Sequence, residues 1–172
     1  MILEDSSEEL ELDPNEEVED SWSLHAKGTL GSMVASLHGV KNFLTLNLIG
    51  QACGLDVMEM IDPRASHNFI NINFIERKDL KTKSFEGFWV SNANGNLTFM
   101  DKIMERLGIK LQGCVVRENF YMYPLMGHPH VILGIQWLFE LGVIHTNYQN
   151  LTMRFEMDGV EYTLHGMQEE DT

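Results

Sequence analysis

An apolar run from Leu55 to Ile61 delivers one aspartate, Asp62, and then stops at a proline. Leu55, Val57, Glu59 and Ile61 alternate with Asp56, Met58 and Met60, the two-residue period of a strand. Neither face is purely apolar, since one carries a Glu and the other an Asp. Pro63 lacks an N–H and holds φ fixed, so the ladder ends directly after the carboxylate. Ala65, Ser66, His67, Asn68, Phe69 and Ile70 follow as a turn from extended to compact chain. A carboxylate just beyond a strand end is what a pocket at a strand terminus requires.

The rest of the chain reads mostly as strands. Residues 43–49 suggest a buried strand, residues 50–54 a turn, and residues 27–39, rich in Gly and Ser, a loop. Phe69, Ile72 and Ile75 recur at three-residue spacing, which predicts a short helix within residues 68–80. Asn94-Gly95 between apolar segments is a hairpin turn, and Asp158-Gly159 is another, leading into Val160 to Leu164. Met100, Ile103, Met104 and Leu107 fit a helical stripe. Residues 109–111, 113–116 and 120–125 continue as strands.

A length of 172 residues fits about one domain, and 44% apolar content supports a real core. Of the net charge of −14, residues 1–20 hold ten acids and no base. A one-sign run repels itself and buries little, so residues 1–21 are expected to be a disordered acidic leader. The ordered domain is expected over residues 22–167, and residues 168–172 form an acidic tail. No basic stripe argues for a nucleic-acid partner, and no apolar run has the length of a membrane span. Cys53 and Cys114 make no disulfide framework and fit a reducing compartment. With no secretory signal in sight, an intracellular location, cytoplasmic or nuclear, is expected. His128-Pro129-His130, even with His67, lacks ligand spacing, so no metal and no cofactor is expected. Trp89 and Trp137 read as core or wall residues, and His67 as a structural residue of its loop.

Residues 61–70 resemble the active-site segment of retropepsin-like aspartic proteases, especially those of gypsy-type retrotransposon polyproteins of plants. There the segment reads Ile-Asp-Ser-Gly-Ala-Ser/Thr-His-Asn-Phe-Ile. Val131-Ile132-Leu133-Gly134 with Ile135-Gln136-Trp137-Leu138 resembles that family's second motif, a strand beneath the active-site loop followed by a short helix, which the likeness places over Gln136 to Leu141 with Gly142 as its stop. Asn150-Leu151-Thr152-Met153 with Phe155, and the Ser-Leu-His-Ala segment at residues 23–26, extend the likeness. Asn92-Ala93-Asn94-Gly95 stands where the family has a substrate-covering hairpin. The resemblance implies an all-β, retropepsin-like closed barrel with one or two short helices, and it asks for strands through residues 100–107, the reading adopted there because context overrides local period in short segments. It also implies catalysis by two carboxylates sharing a proton, one Asp62 from each chain of a homodimer.

Two positions depart from the family: Pro63 replaces Ser or Thr, and Arg64 replaces Gly. Proline removes a hydroxyl and an N–H that hold the two loops together. Arg64 crowds the water site and holds nearby carboxylates ionised. It is placed to pair with Asp62, its own or its partner's. Asp62, Pro63, Arg64 and Ala65 are therefore the catalytic segment in degenerate form. Three readings follow: an inactive protease-like module that dimerises or binds a peptide or protein; an active aspartic endopeptidase; and an unrelated interaction adaptor. His130 stands where the family often has Asp.

Overall fold

The computed structural model describes residues 28–30, 45–92, 94–127 and 129–168 of the chain. The expected leader, the Ser-Leu-His-Ala segment, residues 31–44 and all of the tail after residue 168 lie outside the described residues, as do Ala93 and His128. Strand β1 (Gly28–Leu30) lies within the stretch expected to be a loop. Strands β2 (Leu46–Ala52) and β3 (Leu55–Ile61) form an antiparallel hairpin. Its turn is only Cys53 and Gly54, both at positive φ, which matches the right-handed twist of the flanking strands. The expected five-residue turn is thus mostly strand: β2 continues through Gly50 to Ala52, with Leu46, Leu48 and Ala52 facing the core.

Three residues, Phe69–Asn71, form β4 before the expected helix begins as α1 (Ile72–Lys78). The helical spacing starts too early because Phe69 and Ile70 are buried on opposite faces of a short central strand. Asn71 caps α1, its side chain accepting from the Asn73 N–H at 3.1 Å. Strands β5 (Lys83–Asn92), β6 (Leu97–Leu111) and β7 (Cys114–Tyr123) form two successive hairpins. Residues 100–107 are strand, and the helical stripe there has a physical source. A register shift between Met104 and Leu107, with Arg106 at φ 50°, inserts a bulge. The inward set therefore runs Met104, Leu107, Ile109, Leu111, and its three-residue step imitates a helix. The Asn119 side chain accepts from the Arg106 N–H at 2.9 Å and fixes the bulge.

Strand β8 (Val131–Leu133) runs parallel to β3 and antiparallel to β4. Helix α2 (Ile135–Leu141) follows and ends at Gly142, φ 70°. The larger sheet runs β1-β5-β6-β2-β3-β8-β4-β7, and an additional β6–β7 pairing returns the last strand to the third. The hydrogen-bonded pairings of six strands therefore form a circuit, with β5 and β1 extending from it. A second sheet, β11-β10-β9, comprises β9 (Ile144–Asn147), β10 (Thr152–Met157) and β11 (Val160–His165). Asp158 and Gly159 make its expected turn, both at positive φ. Gln112 ties this sheet to the β6–β7 turn through two bonds to the His165 backbone, at 2.7 and 2.8 Å.

Two apolar clusters lie among the described residues. The larger one, with Leu48, Ile109, Leu111, Phe120, Val131, Leu133 and Trp137, lies inside the circuit and against β10. The smaller one, with Met60, Ala65, Phe69, Val90, Met100 and Ile132, joins the Asp62 loop to the β5–β6 hairpin. Trp89 departs from expectation. It is 49% exposed on the outer face of that hairpin, its ring 5.2 Å from that of Phe99. Inward space on β5 is taken by Val90. Among the described residues, no helix is long and apolar enough to cross a membrane.

Candidate functional site

Asp62 sits directly past β3. Its N–H donates to the Leu133 carbonyl at 3.0 Å, extending the β3–β8 ladder by one rung, and its carbonyl accepts from the Ala65 N–H at 3.1 Å. The loop 62–65 is thus a tight turn anchored to β8. Inside that turn the Asp62 side chain folds back on its own chain. Its Oδ1 accepts from the Arg64 N–H at 3.0 Å and faces Arg64 Nε at 3.4 Å. The Asp62 side chain is wholly buried, while that of Arg64 remains 32% exposed. Oδ2 of Asp62 is buried with no hydrogen-bond partner among the described residues. Pro63 is exposed and lines a cavity with Leu46, Ile61, Leu138, Ile144 and Tyr148.

The second motif is brought against this loop. Val131, Ile132 and Leu133 pair with Glu59, Met60 and Ile61. Gly134 donates to Asn68 Oδ1 at 3.0 Å, and the Ile135 N–H donates to the Ala65 carbonyl at 2.8 Å. A Cβ on Gly134 would collide with the carbonyl oxygens of Ala65 and His67, so this position excludes any side chain. Asn68, itself buried, also receives the Tyr121 N–H on its carbonyl, and its own N–H reaches the Gln136 side chain at 3.3 Å. One asparagine thereby holds the loop, β7, β8 and α2 together. Its place in the Ser-His-Asn-Phe-Ile motif was the signal for this role.

The described hairpin residues bond to one another at the tip. The Asn92 side chain accepts from the N–H groups of Asn94 and Asn96, each at 3.0 Å, and Gly95 takes φ 79°. This is a self-contained, exposed tip. The link from hairpin to loop is aromatic instead. The His67 ring lies 4.8 Å from Phe88 on β5 and 5.3 Å from Tyr121 on β7, and Ser66 Oγ is 2.8 Å from its Nδ1. His67 is the structural residue expected. His130 also acquires a role. Its backbone N–H donates to the Met58 carbonyl, and its Nδ1 accepts from the Met58 N–H at 2.9 Å. A neutral imidazole thus supplies a rung that β8 lacks. Among the described residues, no group of three or more His, Cys, Asp or Glu could hold a metal ion.

Glu59 is the residue that the alternation of β3 did not mark out. It is fully buried, and neither carboxyl oxygen has a hydrogen-bond partner among the described residues. Gly50 is its neighbour on β2, where a Cβ would strike the carboxyl. Burial raises its pKa to about 8, so the group is largely neutral at pH 7. A raised carboxyl stabilises the fold fully below about pH 4.5, and that contribution is lost as pH rises through about 8. Glu118, raised to about 7 by burial and then by Glu140, acts in the same direction. His67 and His130 act oppositely. Burial lowers both, with the Arg77 charge adding at His130, so their contribution is lost as pH falls below about 6.5. Denaturant titrations at pH 6 and pH 9 are expected to show lower stability at the higher pH. Glu59→Gln is expected to remove most of that difference, on the order of a few kcal/mol. An unchanged difference in the variant would place the alkaline loss elsewhere.

Comparison with known proteins gives the fold. No protein-family model matches the chain, and no curated protein matches it. The crystal structure of the retroviral protease-like domain of Ddi1 from Leishmania major is similar, with a TM-score of 0.52 at 13% identity. The match covers 74% of this chain and 98% of that one. The chain therefore has an all-β, retropepsin-like fold, with two short helices among the described residues.

Proposed function

We propose that this is a retropepsin-like domain of retrotransposon origin that no longer cleaves peptides and serves as a dimerising, peptide-binding module. The observation that carries the reading is the closure of Asp62. Peptide hydrolysis by a carboxyl pair needs an open carboxylate, half-protonated with its partner, and a water between them. Here the Asp62 side chain is wholly buried within one chain, and its Oδ1 is taken by the backbone and guanidinium of Arg64. Retrotransposon origin is supported by the sequence motifs around Asp62 and Gly134. Unpaired Cys53 and Cys114 agree with an intracellular setting.

Dimerisation is supported by an apolar surface beside the loop. Pro63 borders a cavity of about 180 Å³. On and after α2, whose Leu138 lines that cavity, Phe139 is 83% and Val143 74% exposed. Burying such side chains against a second copy removes apolar area from water. Sedimentation equilibrium is expected to give twice the chain mass, and Phe139→Glu is expected to shift the protein towards monomer. Incubation with a mixed peptide library between about pH 3 and about pH 7 is expected to yield no Asp62-dependent products. A monomeric mass that Phe139→Glu leaves unchanged would remove the dimer from the reading.

A further inference from the structure

We propose that the outer edge of β5 at Val90–Asn92 is a docking edge for an extended peptide, and that the chain's own Gly28–Leu30 occupies it in cis. This rests on the peptide-binding reading above. β5 pairs with β6 along one side. On its other side the sheet order places β1, in parallel register, with Gly28 opposite Val90, Thr29 opposite Ser91 and Leu30 opposite Asn92. The added strand comes from far upstream in sequence and is three residues long.

In Gly-Thr-Leu only the β-branched Thr29 favours a strand on its own. Glycine loses more conformational freedom than any other residue on being fixed, and three residues cannot sustain a strand without a template. The edge therefore imposes the extended form, and main-chain pairing supplies the contact. That is strand addition, the mode in which an exposed sheet edge captures a peptide through its backbone. Main-chain capture tolerates many sequences, so an intramolecular segment and an external peptide compete for the same groups.

The edge is also well placed. Two residues before it on β5, the Phe88 ring packs 4.8 Å from His67 in the loop that follows Asp62. Val90 itself belongs to the buried cluster that joins the hairpin to Ala65 and Phe69. A segment paired at Val90–Asn92 therefore lies on the same hairpin that packs through Val90 against Ala65 of the Asp62 loop. An occupant tethered in cis lowers the apparent affinity for any external peptide by the fraction of time the edge is free.

The test uses the full chain and its Thr29→Pro variant, since proline removes an N–H and disrupts a short strand. Gly28→Pro is the second variant, and an unchanged melting transition shows that each remains folded. Two readouts are taken: amide exchange over residues 90–92, and binding of a fluorescein-labelled synthetic peptide with the sequence of residues 24–34. The expected result is lost protection at the β5 amides that face away from β6, with peptide binding roughly tenfold tighter than in the unaltered chain. Unchanged protection would overturn the cis contact. Equal, measurable binding by all three proteins would overturn cis occupancy while leaving the peptide-binding reading in place. Binding by none of them would overturn the docking edge and the peptide-binding reading together.

Discussion

Trp137→Ala is expected to cost roughly 3–5 kcal/mol, among the largest losses of any single change in the chain. Trp137 is the third residue of α2, three positions after Gly134, and it is 2% exposed. Its ring meets Phe155 of β10 edge to face, at 5.7 Å and 83°, and that contact joins the circuit to the three-stranded sheet. Around it lie Leu133, Leu138 and Met153 in the same buried cluster. Alanine would leave a void between two sheets that are each held by their own hydrogen bonds, so neither closes readily over it. The loss is the transfer free energy of the indole plus the cavity that remains. A denaturant titration measures it directly. A loss below about 1 kcal/mol would mean that Trp137 does not join the circuit to the three-stranded sheet as described.

Much of this arrangement is legible in the sequence, and the exceptions have identifiable causes. Asp62 at a strand end and both turns with a Gly follow from period and turn chemistry, whereas the strand at Val131 to Leu133 and the α2 helix follow from the family resemblance of their motif. The Asp62–Arg64 pairing follows from two charges separated by one residue in a turn. Glu59 was not legible as a buried acid. Alternation assigns it to the same face as Val57 and Ile61, but a carboxyl on a core face becomes tolerable only when Gly50 opens space opposite. Trp89 misled in the other direction. A large aromatic is usually buried, and here Val90 takes the inward position while the indole lies outside. β1 lay within a Gly- and Ser-rich stretch because its extended form comes from the β5 edge rather than from its own residues. The bulge at Arg106 erased the two-residue period over residues 104–107, where a helical stripe emerged instead.

The proposed loss of cleavage lies in two adjacent residues, Pro63 and Arg64, so restoring them is expected to have the largest functional effect. Pro63→Ser returns a hydroxyl and an N–H at the loop. Arg64→Gly removes the guanidinium from Asp62 Oδ1 and reopens the turn. The strands that present Asp62 are intact: its N–H is bonded to Leu133, Gly134 clears the loop carbonyls, and Asn68 holds the loop to β8. Each regained pre-organised group is worth on the order of 10²-fold in rate. The decisive measurement compares peptide cleavage at acid pH by the unaltered chain, by the Pro63→Ser/Arg64→Gly double variant, and by that variant with Asp62→Asn added. The account predicts no cleavage by the first, measurable cleavage by the second, and its disappearance in the third. Cleavage by the unaltered chain that Asp62→Asn abolishes would contradict it.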